Sequence, residues 1–388
     1  MSLLQAPPHC AGLYVHVPFC LQKCPYCNFY SRPAQSGDFE CFTEALLAHL
    51  AILVHNPLVQ NLRFTTIFFG GGTPSVLPTP LLVQILRACQ ATLNCSGCTE
   101  ISIEVNPGTI AANSDSLHAL FQAGFNRLSV GVQSFLDHEL KLLGRTHSAD
   151  EARMTLATAR KAGFSNISLD LMYGLPGQQL RDWQASLEQA LVLAPEHLSL
   201  YELTPEAPSP FYDAAKDGTL ALPPEEEVLA MMDYTKALLT RTGLARYEIS
   251  NYAQPAYQCR HNLNYWHNGS YLGLGPGAVS AIGGRRYRIP QGLRRYYYLV
   301  TSDIPPWQAE EMLDVEQSFR ETVIMGLRMM QGVSAAELFA RYQINLATYY
   351  GPVLDQLLAQ ELLHWQGEYL ALSPKGLPLA NQVMAELV

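Results

Sequence analysis

Cys20, Cys24 and Cys27 spell C-x3-C-x2-C within Tyr14-Val-His-Val-Pro-Phe-Cys-Leu-Gln-Lys-Cys-Pro-Tyr-Cys27. Three soft thiolates from one loop can hold three irons of a [4Fe–4S] cluster. The fourth iron is then left without a protein ligand, and an open iron beside a strand end is a place for chemistry. A zinc loop would need a fourth Cys or His at recognisable spacing, and none stands nearby. Cys95-Ser-Gly-Cys98 also has the spacing of a metal or redox pair. It lies in a polar loop without partner ligands and reads as incidental, like Cys10, Cys41, Cys89 and Cys259.

The elements that must position these residues alternate along the first 205 positions. Strands are predicted at Leu13–Val17, Thr66–Phe69, Glu100–Val105, Arg127–Gly131, Asn166–Met172 and His197–Glu202. Helices are predicted at Phe39–Leu53, Pro80–Ala91, Ser114–Ala123, Ala149–Ala162, Leu180–Leu193 and Glu225–Thr242, the last with three glutamates in its first turn. Six strand–helix units in series imply a parallel sheet with right-handed crossovers. Six units are too few for a full eight-unit barrel, so the pattern predicts an open (β/α)6 partial barrel. Cys20, Gly71, Glu104, Gln133 and Asp170 fall at or just beyond the carboxyl ends of five strands, where barrels build their sites.

These motifs resemble those of the radical S-adenosylmethionine (SAM) superfamily. The resemblance continues through Phe68-Phe69-Gly70-Gly71-Gly72-Thr73-Pro74, Ser102-Ile103-Glu104-Val105-Asn106-Pro107, Gly131-Val132-Gln133-Ser134-Phe135, Gly144-Arg145-Thr146-His147 and Asp170-Leu171-Met172-Tyr173-Gly174-Leu175-Pro176-Gly177. That ordered series is similar to the subgroup that holds oxygen-independent coproporphyrinogen oxidase and the HemW heme chaperones, over most of residues 12–280. The resemblance implies the same partial barrel and SAM on the open iron. It implies SAM contacts from Gly71, Gly72, Thr73, Glu104, Gln133, Arg145 and Asp170. Backbone approach needs glycine, carboxylates accept from hydroxyl or ammonium groups, and arginine meets a carboxylate. Tyr14 and Tyr26 are candidates to pack on the cluster and adenine, with ordinary core packing as the alternative.

Two features choose within the subgroup. Phe29 stands where the oxidases typically carry a further cysteine, and the stretch before Cys20 is shorter than theirs. Arg260-His261-Asn262-Leu263-Asn264-Tyr265-Trp266 contains H-N-x-x-Y-W, a signature of the HemW type. His261 is a candidate axial heme ligand, with Tyr265 and Trp266 able to stack on the macrocycle. The alternative is a hydrogen-bonded histidine supporting the SAM site. Arg285, Arg286, Arg288, Arg294 and Arg295 form the one basic cluster. It reads as a solvated face, as a dock for propionates or, third, as an RNA contact.

The resemblance implies a cytoplasmic heme chaperone that passes heme to an acceptor hemoprotein, with an electron donor such as a flavodoxin or ferredoxin. The alternatives are a coproporphyrinogen III dehydrogenase and a radical SAM methyltransferase. The composition agrees. A chain of 388 residues with 48% apolar content can bury a sizeable core and is long enough for two domains. Net charge is −9, which argues against nucleic acid. Nine cysteines with no secretory signal in Met1–Cys10 fit a reducing compartment. Residues 1–242 are read as the cluster-bearing partial barrel and 243–309 as a connecting segment with short strands. Residues 310–388 are read as a small winged-helix-like domain. In it, Ser318–Met329, Ser334–Arg341 and Pro352–Ala359 are helical, Leu362–Trp365 and Tyr369–Leu372 form a hairpin, and Lys375–Leu387 is a last helix.

Overall fold

A computed structural model describes residues 9–110 and 113–388. The stretch read for a targeting signal, Met1–Cys10, lies mostly outside the described residues. Six parallel strands follow one another: β1 (His9–Val17), β2 (Leu62–Gly71), β3 (Glu100–Val105), β4 (Arg127–Gln133), β5 (Ile167–Tyr173) and β6 (His197–Glu202). Between and after them run α1 (Asp38–Leu53), α2 (Thr79–Thr92), α3 (Ser114–Ala123), α4 (Ala149–Ala162), α5 (Leu180–Val192) and α6 (Glu225–Leu239). Local chemistry sets these helices. Ser148 and Glu151 close a capping box at the start of α4, and Gly163, at φ 111°, ends it in the left-handed region.

Strand alternation divides the sheet's two faces. On β3, β4 and β5, Ile101, Ile103, Leu128, Val130, Ile167 and Leu169 are buried with the helices in one apolar core. The intervening positions face the lumen and are polar: Glu104, Arg127, Ser129 and Asp170. The fold is therefore an α/β partial barrel whose inner layer is largely polar.

Residues 243–309 do more than connect. They add strands to both edges of the sheet. β7 (Ala245–Arg246) and β8 (Asn251–Ala253) extend it antiparallel beyond β6. β9 (Ser270–Leu274) pairs parallel with β1, and β10 (Val279–Ile282), β11 (Arg285–Arg288) and β12 (Gln308–Met312) follow it antiparallel. The result is one mixed sheet of twelve strands in the order β12-β11-β10-β9-β1-β2-β3-β4-β5-β6-β8-β7. Short, Gly- and Arg-rich strands carry too little apolar alternation to announce themselves. The segment also holds α7 (Arg260–Trp266) and α8 (Leu293–Thr301).

A second core lies in the C-terminal part, built on Phe319, Val323, Leu327, Leu354, Leu370 and Val383. Its hairpin pairs Leu363–Gln366 with Tyr369–Leu372, and Val333–Ser334 adds a third strand. The continuous helix expected over Lys375–Leu387 is instead a 3-10 turn, Leu377–Leu379, followed by a helix at Ala380–Ala385. Pro378 supplies no N–H to a regular helix there. Phe319 is fully buried among Tyr342, Tyr349 and Tyr350. Phe319→Ala should cost about 3–5 kcal/mol of stability. Chemical denaturation checks this, and a loss below about 1 kcal/mol would mean this ring does not organise the second core.

Candidate functional site

The cysteine loop is fixed at both ends. After β1, Phe19–Cys20 pairs in parallel with Arg32–Pro33, and the Arg32 N–H donates to the Pro18 carbonyl at 2.9 Å. The buried Phe19 ring packs edge-on against Phe39 and Phe42, and Arg32 lies over its other side. A tight turn, Cys27 N–H to the Cys24 carbonyl at 3.2 Å, aims the middle of the loop. Cys20, Cys24 and Cys27 are free thiols, half-buried, and all three line one cavity of about 390 Å³.

The cavity walls come from the carboxyl ends of the strands. At the end of β2, Gly72 N–H donates to the Val17 carbonyl at 2.8 Å and Thr73 N–H to the Phe19 carbonyl at 2.7 Å. This stretch therefore runs directly against the cysteine loop. A Cβ on Gly72 would sit 2.5 Å from the Phe19 carbonyl oxygen and 3.0 Å from Cys20 Sγ. Glycine is needed here to seat Cys20, in addition to the backbone access that the sequence suggests.

Glu104, from β3, accepts the Gly71 N–H at 3.1 Å. Burial, reinforced by the charge of Asp170, raises its carboxyl to about 8. Asp170, from β5, accepts from Ser129 Oγ at 3.0 and 3.1 Å and from Ser168 Oγ at 3.1 Å. Burial raises its pKa too, opposed by Ser199, by the Arg127 charge and by those hydrogen bonds. Gln133 sits where the β4–β5 register shifts and has φ 69°, a left-handed backbone uncommon outside glycine. Its side chain lines the cavity. Arg145 donates from Nη2 to the Gly131 carbonyl at 2.7 Å, and its Nη1 lies 3.5 Å from the Tyr26 hydroxyl and 3.8 Å from Cys24 Sγ. Its Nε has no partner. Tyr26 lines the cavity and packs towards Phe211. Tyr14 does not reach this cavity. It lines a second, inner chamber of about 310 Å³ deeper in the lumen.

The donor set fits a cluster with SAM. Among the described residues, no three His, Cys, Asp or Glu side chains converge on a single ion. Thiols spread round a cavity suit a cluster in which each iron takes its own thiolate. The unused Arg145 donor suits a carboxylate, and Asp170 suits hydroxyls.

The residues considered for heme are not gathered into one site. His261, on α7, is 1% exposed. Its Nδ1 is bonded to Thr66 Oγ1 at 2.8 Å and its Nε2 to the Tyr265 hydroxyl at 3.0 Å. Its ring stacks on Phe68 at 5.1 Å, and its backbone N–H donates to Glu100. Burial lowers its pKa to about 3. Both ring nitrogens are engaged inside the lumen, an arrangement that matches the structural alternative rather than an open axial ligand. Tyr265 is wedged edge-on between His261 and Tyr271. Trp266 lies under the Arg328 guanidinium at 4.5 Å. Both rings are thus engaged by neighbouring side chains rather than set around one open space. Arg286 is paired with Glu311 and Glu321, while Arg285 and Arg288 are exposed on β11 near the sheet edge. Sequence reasoning passed over Arg127, Ser129 and Tyr201, which also line the lumen. Polar residues at alternate strand positions were the available signal.

Residues 14–190 match the family model of the radical SAM superfamily, and residues 313–379 match the HemN C-terminal domain. The heme chaperone HemW of Bacillus subtilis is 35% identical over 95% of this chain and 97% of its own length. The heme chaperone HemW of Escherichia coli is also 35% identical, over 98% of each chain. The chain belongs to the HemW family. The solved structure of coproporphyrinogen III oxidase (HemN) from Escherichia coli superposes on it with a TM-score of 0.84. The match covers 99% of this chain and 91% of that one at 24% identity, a likeness of fold. Among the described residues, no helix is long and apolar enough to cross a membrane.

Two expectations follow for this HemW-family site. Gly72→Ala should push against Phe19 and Cys20 and lower the iron content of reconstituted protein. Full iron incorporation would show that the loop yields freely. For Glu104, folding takes up a proton between about pH 4.5 and about pH 8, so its contribution to stability falls as pH rises through that window. Glu104→Gln should therefore gain on the wild type between about pH 5 and about pH 8.5, by roughly 1–3 kcal/mol in denaturation midpoints. A pH-independent difference would remove the buried proton.

Proposed function

We propose that this protein is a heme chaperone that carries a [4Fe–4S] cluster on Cys20, Cys24 and Cys27 and SAM in the adjoining cavity. It would deliver heme to an acceptor hemoprotein. The observation that carries this reading is the likeness, over nearly the whole chain, to proteins named as heme chaperones. The three thiols facing one cavity support the cofactor half of it. A bound cluster supplies one-electron reducing capacity and an open iron able to chelate amino and carboxylate groups.

The chain's own groups divide the remaining work. The Arg145 guanidinium meets the carboxylate of SAM, and Gln133 gives it an amide partner. Glu104, protonated near neutral pH, both donates and accepts, while Asp170 accepts from ribose hydroxyls. The Gly71–Thr73 backbone lets the ligand approach, and Tyr26 covers the cluster side against water. At the cavity rim, Leu21 and Phe29 are 52% and 64% exposed. They offer apolar surface on which a macrocycle can rest, and this reading replaces His261, Tyr265 and Trp266 as the heme contact. The acceptor is read as respiratory, the electron donor as a flavodoxin or ferredoxin, and the compartment as the cytoplasm.

Anaerobic reconstitution, heme titration and a coproporphyrinogen assay in one preparation test the reading. Cys20→Ala, Cys24→Ala and Cys27→Ala should each abolish the reconstituted cluster spectrum. The wild type should bind heme and leave coproporphyrinogen unconverted with SAM and reductant present. Phe29→Ser should weaken heme binding, and His261→Gln should lower stability rather than shift the Soret band. Catalytic formation of protoporphyrinogen would replace the chaperone reading with the dehydrogenase one.

A further inference from the structure

Arg127 opens β4 and is 2% exposed, one of the largest fully buried side chains. None of the ion pairs of the described residues includes it, and its Nε has no partner. A buried guanidinium left in this state is costly unless water or an opposite charge compensates it. Arg127 lines the inner chamber, about 310 Å³ of polar-walled space with room for several waters. Glu104, Ser129, Asp170 and Tyr201 line both that chamber and the outer cavity, so the two spaces share a wall.

We propose that Arg127 is a positioning residue. Through water in the inner chamber, it holds the Asp170 carboxylate as an oriented, ionised hydrogen-bond acceptor on the floor of the outer cavity. The Arg127 charge interacts with Cys259, Glu100 and Tyr247 as well as with Asp170, and of these four Asp170 alone lines both the inner chamber and the outer cavity. The Glu100 carboxylate is already spanned by the N–H groups of Arg260 and His261, at 2.9 and 3.0 Å. Both ring nitrogens of His197 are bonded, to Ser168 and Tyr247. Ser129 and Ser168 donate to Asp170 but bring no charge. The Arg127 charge opposes protonation of Asp170, and it also disfavours protonation of His197 and His261. A protonated Asp170 would present a donor where a ribose hydroxyl needs an acceptor.

The inference rests on the cofactor reading for its binding arm, and its spectroscopic arm stands alone. Full-length Arg127→Gln, Arg127→Lys, Asp170→Asn and the Arg127→Gln/Asp170→Asn double variant are compared near neutral pH. Infrared spectra of Arg127→Gln should show a protonated-carboxyl band additional to that of Glu104 in the wild type, and the double variant should lack this additional band. After reconstitution, SAM affinity by calorimetry should fall about tenfold in Arg127→Gln, with cluster absorbance unchanged. Arg127→Lys, which keeps the charge, should recover most of that affinity and suppress the band. A folded Arg127→Gln without the new band overturns the proposal. If Arg127→Gln does not fold, Arg127→Lys decides: a protonated Asp170 band in it overturns the proposal, and its absence with near-normal SAM affinity supports it. Absence of SAM binding by the wild type would defeat the cofactor reading, and the infrared arm would still decide the role of Arg127.

Discussion

Parallel strands in register commit every second side chain to the lumen, and in this protein most of those positions are polar. Glu100, Ser102 and Glu104 on β3, Arg127 and Ser129 on β4, Ser168 and Asp170 on β5, and His197 and Ser199 on β6 share that alternation. A closed barrel is ordinarily filled with branched apolar side chains. Here the apolar half of each strand is spent outward, under the helices, and the lumen becomes a hydrogen-bonded interior. Burying charge demands compensation, so the lumen groups constrain one another tightly. The carboxylates at the strand ends inherit their protonation from that network.

The helix carrying H-N-x-x-Y-W closes this interior. His261 binds Thr66 on β2 and Tyr265, while Glu100 on β3 caps the first backbone N–H groups of α7. The other end of α7 meets the C-terminal part. Arg328 covers Trp266, Arg341 donates to the carbonyls of His267 and Asn268, and Asn268 donates to Glu321 and Thr322. The motif thus joins lumen and C-terminal core through one short helix. Its residue types suit heme ligation, yet its contacts are those of a plug.

Much of this was legible in the residue order. The cysteine spacing, the Gly71–Gly72–Thr73 turn and the polar residues ending β3, β4 and β5 stand at the cavity as expected, because strand periodicity places them. The further strands of residues 243–309 were not legible as a sheet extension, since pairing across long sequence distances leaves little local trace. The role of His261 was hidden for a related reason. A histidine's chemistry depends on which nitrogens are free, and that is decided by Thr66, distant in sequence and packed against it in space. Arg127 was missed because a lone arginine at a strand start reads as a surface charge.

The two carboxyls at the cavity floor show what a charged lumen accomplishes. Glu104 and Asp170 are both buried acids, and the charge of Asp170 itself raises Glu104. Burial raises Asp170 as well, but Ser199, the Arg127 charge, Ser129 and Ser168 oppose that rise. Glu104 has one backbone N–H and a weaker share of that charge. Neighbouring acids whose surroundings pull their titrations apart take different roles. Glu104, pushed up to about 8, can donate as well as accept near neutral pH, while the rise of Asp170 is opposed by its serines and by the Arg127 charge. A ligand bearing both hydroxyl and acceptor groups would then be held in one orientation by two side chains of similar chemistry. That discrimination does not reside in either carboxyl alone. It would come from the Arg127 charge, as proposed, and from the serines that bond Asp170.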